Sequence, residues 1–135
     1  MDLSNLDVSK KAEDGAILEL EHPVTGDPLI NEDSGEAVSI IVLGTDSKTY
    51  REKQREYQRK RLSKMTKKRG KEMDLTMSDE DACDLLATCT IGWEHMVENG
   101  EELEFSKEAA YKLYMKYHWI REQVDVFIAD RENFI

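Results

Sequence analysis

The chain is poor in proline and glycine, with two and seven among 135 residues, and this scarcity of breakers marks a helix-leaning globular protein rather than a wholly disordered one. Long apolar runs are missing too. The longest is Ile40-Ile41-Val42-Leu43, far short of the roughly 20 residues of a bilayer helix, so no membrane span is expected. The start, Met1-Asp2-Leu3-Ser4-Asn5, is acidic and polar where a secretory leader would be basic and then apolar, and it lacks the arginines of a transit peptide. A cytoplasmic protein is the expectation. Cysteine is limited to Cys83 and Cys89, near opposite sides of one helical pattern, a placement that suits neither a CxxC pair nor a mutual disulfide. Both read as reduced, small apolar residues.

Catalytic signatures are equally scarce. His22, His95 and His118 sit in three different segments, with no HExxH and no metal-ligand spacing. Neither GxxxxGK[ST] nor GxGxxG occurs, and Gly35 and Gly44 are isolated. The acids over 78–84 lack the D-x-[DN]-x-[DN]-G pattern of a calcium loop and are explained by helix capping. No enzyme, metal or cofactor is expected.

What the chain does have is charge, unevenly placed. Residues 48–72 hold 12 Lys and Arg against 3 Asp and Glu, a local balance of +9; residues 1–47 hold 2 against 11, and residues 73–135 hold 5 against 15, balances of −9 and −10. A basic block between two acidic ones suits charge-complementary contact with a partner or head-to-tail contact with copies of the same chain.

At 135 residues one domain is expected, large enough to bury a core. Residues 1–14 read as a flexible polar lead, with Leu3, Leu6 and Val8 too scattered to anchor it. Ile17-Leu18-Glu19-Leu20-Glu21 alternates as a half-buried strand and ends in the Pro23 to Pro28 reversal; Leu29-Ile30 pairs back as a short strand, and 37–43 is apolar and β-branched enough to be the central strand. Gly44-Thr45-Asp46-Ser47 joins it to a helix with a narrow apolar stripe, Tyr50, Tyr57, Leu62 and Met65, lightly seated on the core and ending in a basic linker near 66–77. Ser78 begins a capping box, after which Ala82, Leu85, Leu86, Cys89, Trp93 and Met96 follow helical spacing until Asn99-Gly100. Ser106 caps the next helix, with Ala109, Ala110, Leu113, Tyr114 and Tyr117 on one face, and a last helix starts near His118 with Trp119, Ile120, Val124, Phe127 and Ile128. The expected fold is α+β and mainly helical: an N-terminal antiparallel hairpin or three-stranded sheet over 15–44, then about four helices over 46–135. Its expected core is Leu85, Leu86, Cys89, Trp93, Leu113, Trp119, Ile120, Val124 and Phe127.

For partner contact the candidates are the basic residues Arg51, Arg55, Arg59, Lys60, Arg61 and Lys64, and the apolar Phe134-Ile135. A nucleic-acid-binding regulator using 48–71 is the competing reading, since clustered cations neutralise phosphates. The acidic remainder would repel the same polyanion, and no recognition helix or stacking platform accompanies the block. The bland alternative is a solvated face, with Glu52 and Glu56 placed to support Arg55, Arg59 and Lys60 at helical spacing.

A resemblance adds to this. Pro23-Val24-Thr25-Gly26-Asp27-Pro28-Leu29, Leu43-Gly44-Thr45-Asp46-Ser47 with Tyr50-Arg51, residues 88–93, Phe105-Ser106, and Trp119-Ile120-Arg121-Glu122-Gln123-Val124 followed by Asn133-Phe134 resemble, in order and spacing, the tail assembly chaperones of long-tailed bacteriophages. The likeness spans about 15–135 and is weakest in the basic linker; His118 stands where relatives often carry proline. It implies a non-enzymatic morphogenesis factor in the host cell cytoplasm. Such a protein coats and solubilises the tape measure protein, recruits tail tube subunits, associates with itself, and is absent from the finished virion.

Overall fold

The centre of the molecule is a three-stranded antiparallel sheet in the order β1-β2-β3, formed by β1 (Ala16–Glu19), β2 (Ser39–Val42) and β3 (Thr90–Glu94). The computed structural model describes the backbone of residues 1–67 and 77–135 and the side chains of 1–63 and 77–135; of the expected basic linker near 66–77, Thr66 and Lys67 are helical in backbone, Met77 is described, and the rest, like the Lys64 side chain, lies outside the described residues. Leu18, Ile40 and Trp93 are direct cross-strand partners and face the core, whereas the neighbouring row Ile17, Ile41 and Gly92 faces outward, as the two-residue period of a strand requires. The protein is α+β and mainly helical, as expected.

β2 is central, also as expected, but its second neighbour is not the 29–30 segment. Residues 20–38 run as a meander tied by single bridges, Glu21 to Pro28 and Ile30 to Ala37, and by bonds such as Leu29 N to Leu20 O at 2.9 Å. The true third strand is β3, cut from the stretch expected to be helical. Helix α3 (Asp79–Thr88) begins at Ser78, whose hydroxyl accepts from Asp81 N, and stops at Cys89. Thr90, β-branched, turns its hydroxyl back onto Leu86 O at 2.8 Å, and Thr90-Ile91 continues extended to pair with the open edge of β2. Trp93 and Met96 are buried as expected, but from a strand and its exit. Asn99 and Gly100, both at positive φ (53° and 80°), turn the short hairpin of β4 (Val97–Glu98) and β5 (Glu101–Glu102), the backbone that a two-residue primed turn needs.

Residues 1–14, expected as a flexible polar lead, are polar and mostly exposed and hold a short 3-10 turn, Leu3–Leu6, and helix α1 (Val8–Asp14), each opened by an aspartate, Asp2 or Asp7, that accepts a backbone amide two residues on. Only Ala12 is buried, at 1% exposure, and it does so by close approach: a Cβ on Gly44 would lie 3.1 Å from Ala12 Cβ and 3.0 Å from the Phe134 ring. An anchor made of alanine and glycine leaves almost no mark in hydropathy.

Behind the sheet lie α2 (Lys48–Lys67), α3, α4 (Lys107–Lys116) and α5 (His118–Ala129). α4 starts at Ser106, whose hydroxyl accepts from Ala109 N, and α5 follows after the single residue Tyr117. Leu86, Trp93, Leu113, Ile120 and Val124 join one large core with Tyr114, while Leu85 and Cys89 form a smaller cluster with Leu43 and Tyr57 beneath α2. Trp119 and Phe127 are half-buried and packed against the main core. No helix among the described residues is long and apolar enough to cross a membrane.

Candidate functional site

The expected partner residues divide once they are placed. Arg51, Arg55 and Arg59 are exposed along α2, Arg61 is half-buried, and Lys60 is spoken for by Asp81 at 3.6 Å. The supporting pairs within α2 are not those the spacing suggested: Glu52 meets Lys48 at 3.9 Å and Glu56 meets Lys53 at 3.5 Å. Phe134 is a correction. It is 4% exposed, edge-on to Phe127 with ring centroids 5.8 Å apart, because the turn Arg131–Phe134 folds back and Arg131 clasps Asp46 with two bonds of 2.7 and 3.1 Å. Ile135 alone stays exposed, so the two halves of the expected partner surface do not combine.

α2 is held to α3 by a buried-edge clamp. Tyr57 OH donates to Asp84, which also meets Lys53 at 3.4 Å and Lys107 at 3.5 Å. Partial burial pushes the Asp84 carboxyl up, but the Tyr57 hydroxyl and the two ammonium groups outweigh it and hold the acid below its ordinary range. Burial first, and the hydrogen bond to Asp84 next, push Tyr57 up. This clamp orders the base of α2. It leaves Arg51, Arg55 and Arg59 exposed on the far side of the helix.

A concavity of about 630 Å³ was not apparent from the sequence. Its walls come from the 20–38 meander (Leu29, Ile30), the β4-β5 hairpin (Val97) and the α4-α5 junction (Tyr117, Trp119). Ile30 and Val97 are exposed, and the acids Glu32, Asp33 and Glu98 stand at the rim. Glu98 is fixed there by Tyr117 OH at 2.7 Å and Lys116 Nζ at 3.3 Å, which hold its carboxyl below the ordinary range, the tyrosine bond contributing most. An apolar floor with an acidic rim matches an amphipathic helix that has basic flanks. Sequence periodicity could not have found it, since each wall belongs to a different segment.

Beside the groove, His95 Nε2 lies 2.6 Å from Glu36 and its Nδ1 lies 3.2 Å from Ser34 Oγ, an acid-histidine-serine line. The two amides after Ser34 are already donated, Gly35 N to Asn31 O and Glu36 N to Ser34 Oγ, so they offer no oxyanion donors. Asn31 Nδ2 also donates to His95 O at 3.0 Å. The line is a tie between the meander and the corner after β3. No group of three or more His, Cys, Asp and Glu among the described residues could hold a metal. No family model, curated protein or solved structure matches the chain.

Proposed function

We propose that this chain is a non-enzymatic tail assembly chaperone of a long-tailed bacteriophage, one that binds and solubilises the tape measure protein and helps bring tail tube subunits to it in the host cytoplasm. The observation that carries the reading is the acid-rimmed apolar groove, with Ile30 and Val97 open to solvent beside Trp119. A tape measure protein is a long, aggregation-prone helical rod, and an amphipathic helix laid into such a groove buries its apolar stripe while its basic flanks meet Glu32, Asp33 and Glu98. The order of short motifs from Pro23 to Phe134 selects this partner among helical ones. Many copies bound in series along one rod gain avidity without any single contact being tight, which permits later displacement by tube subunits.

Co-expression tests it. The tape measure protein of the same phage is expected to move into the soluble fraction and to co-purify with this chain, and an Ile30→Asp/Val97→Asp variant, altered only at exposed positions, is expected to keep its fold and lose the complex. A partner left insoluble and uncomplexed by the unaltered chain would remove the proposal.

A further inference from the structure

The six cations of α2 from Lys48 to Lys60 fall into two sets. Lys48, Lys53 and Lys60 each meet a carboxylate of this chain, at Glu52, at Glu56 and Asp84, and at Asp81. Arg51, Arg55 and Arg59, four residues apart, form one exposed stripe in which none has an ion pair within 4.0 Å among the described residues. Guanidinium groups at that spacing stand about 6 Å apart and are suited to bidentate capture of carboxylates.

The outer face of the sheet is the complementary surface. Ile17 is 64% exposed and Ile91 50%, with Ile41 between them lying over Gly92. In the next cross-strand row, Glu19 and Glu94 flank Ser39, both glutamates exposed and without an ion pair among the described residues. The two edge strands are about 10 Å apart. The arginine stripe spans about 12 Å from first to last. Its guanidinium ends therefore reach both glutamates while the arginine stems and the intervening Gln54 and Gln58 cover the isoleucines.

We propose that the Arg51-Arg55-Arg59 stripe of one copy docks across the Ile17-Ile41-Ile91 face of a second copy, between Glu19 and Glu94. Because donor and acceptor surfaces differ, the contact is head-to-tail and repeats from copy to copy. It does not depend on the tape measure reading and is tested on the chain alone. Nucleic acid is the competing occupant of the stripe, disfavoured by the −10 net charge of the whole chain.

Sedimentation velocity of the purified chain is expected to show association that grows with concentration and is lost in high salt. Arg51→Glu/Arg55→Glu/Arg59→Glu and Glu19→Arg/Glu94→Arg, each checked for an unchanged circular dichroism spectrum, are expected to stay monomeric alone. An equimolar mixture of the two is expected to regain association, since the intact sheet of the first meets the intact arginines of the second. An unaltered chain that is monomeric throughout, or reversed variants that associate as it does, would overturn the proposal. So would loss of fluorescent oligonucleotide binding in the arginine variant with self-association unchanged, which would assign the stripe to phosphates.

Discussion

Tyr57 and Asp84 show how two side chains decide where a whole helix sits. Tyr57 is 6% exposed and brings its ring into the small core with Leu43, Leu85 and Cys89, while its hydroxyl spends itself on a carboxylate already faced by Lys53 and Lys107. Removing the hydroxyl leaves that carboxylate short of a donor at a site partly shielded from water, a loss of about 1–3 kcal/mol. Tyr57→Phe is therefore expected to lower the unfolding free energy by that amount, read as a lower urea midpoint with little change in slope. Asp84→Asn is expected to do the same and also to carry a pH signature. The folded-state value of Asp84 lies below its unfolded one, so its contribution is full above the unfolded value, about 3.9, and is lost as pH falls through the lower folded value. The stability gap between Asp84→Asn and the unaltered chain should narrow as pH drops below about 4. A gap that stays constant to pH 3 would show that the carboxylate charge is not what Asp84 contributes.

Trp93 is the hinge between strand, hairpin and helix. Its Nε1 donates to Leu103 O at 2.8 Å and its ring meets Phe105 edge-on at 5.0 Å, so β3 fixes the segment leading from β5 into α4, and with it one side of the groove. Trp93→Phe keeps an aromatic ring but frees the Leu103 carbonyl, and it is expected to cost about 1–3 kcal/mol by denaturant titration. Hydrogen exchange should also quicken at Leu103 N, which bonds Met96 O across the hairpin; an unchanged exchange rate there would separate the hairpin from the tryptophan. The same element shows what could be read beforehand. α4 and α5 were legible because Ser106 and the periodic Leu113, Ile120 and Val124 agree with each other at every level. β3 was not, because Leu86, Cys89, Trp93 and Met96 satisfy helical spacing by coincidence, and what overrides it is a partner strand some 50 residues earlier in the sequence. The groove was illegible for a related reason: its walls come from three segments. The α2 stripe, by contrast, was visible as charge, although which cations were already paired was not.

Among the described residues there are two hydrophobic clusters of unequal size, and the two cysteines sit one in each. Cys83, 0% exposed, belongs to the main core with Ile40, Leu86 and Tyr114; Cys89, 1% exposed, belongs to the small cluster beneath α2. Both thiols are pushed up by burial, Cys89 to about 12, so neither reacts while folded and each reports the opening of its own surroundings. The small cluster is covered by α2, through Tyr50, Tyr57 and the Asp84 clamp, and by Met77, whereas the main core, which Tyr50 also touches, is enclosed chiefly by the sheet, α3, α4 and α5. Lifting α2 uncovers most of the first; opening the second requires the fold to come apart. In native buffer with a thiol reagent, Cys89 is therefore expected to label faster than Cys83, and Asp84→Asn to speed Cys89 more than Cys83. Mass spectrometry of the digested protein separates the two sites. Equal rates at both, rising together in the variant, would mean that α2 and the main core open as one unit. In that case the arginine stripe would be carried on a rigid arm rather than on a helix that lifts independently.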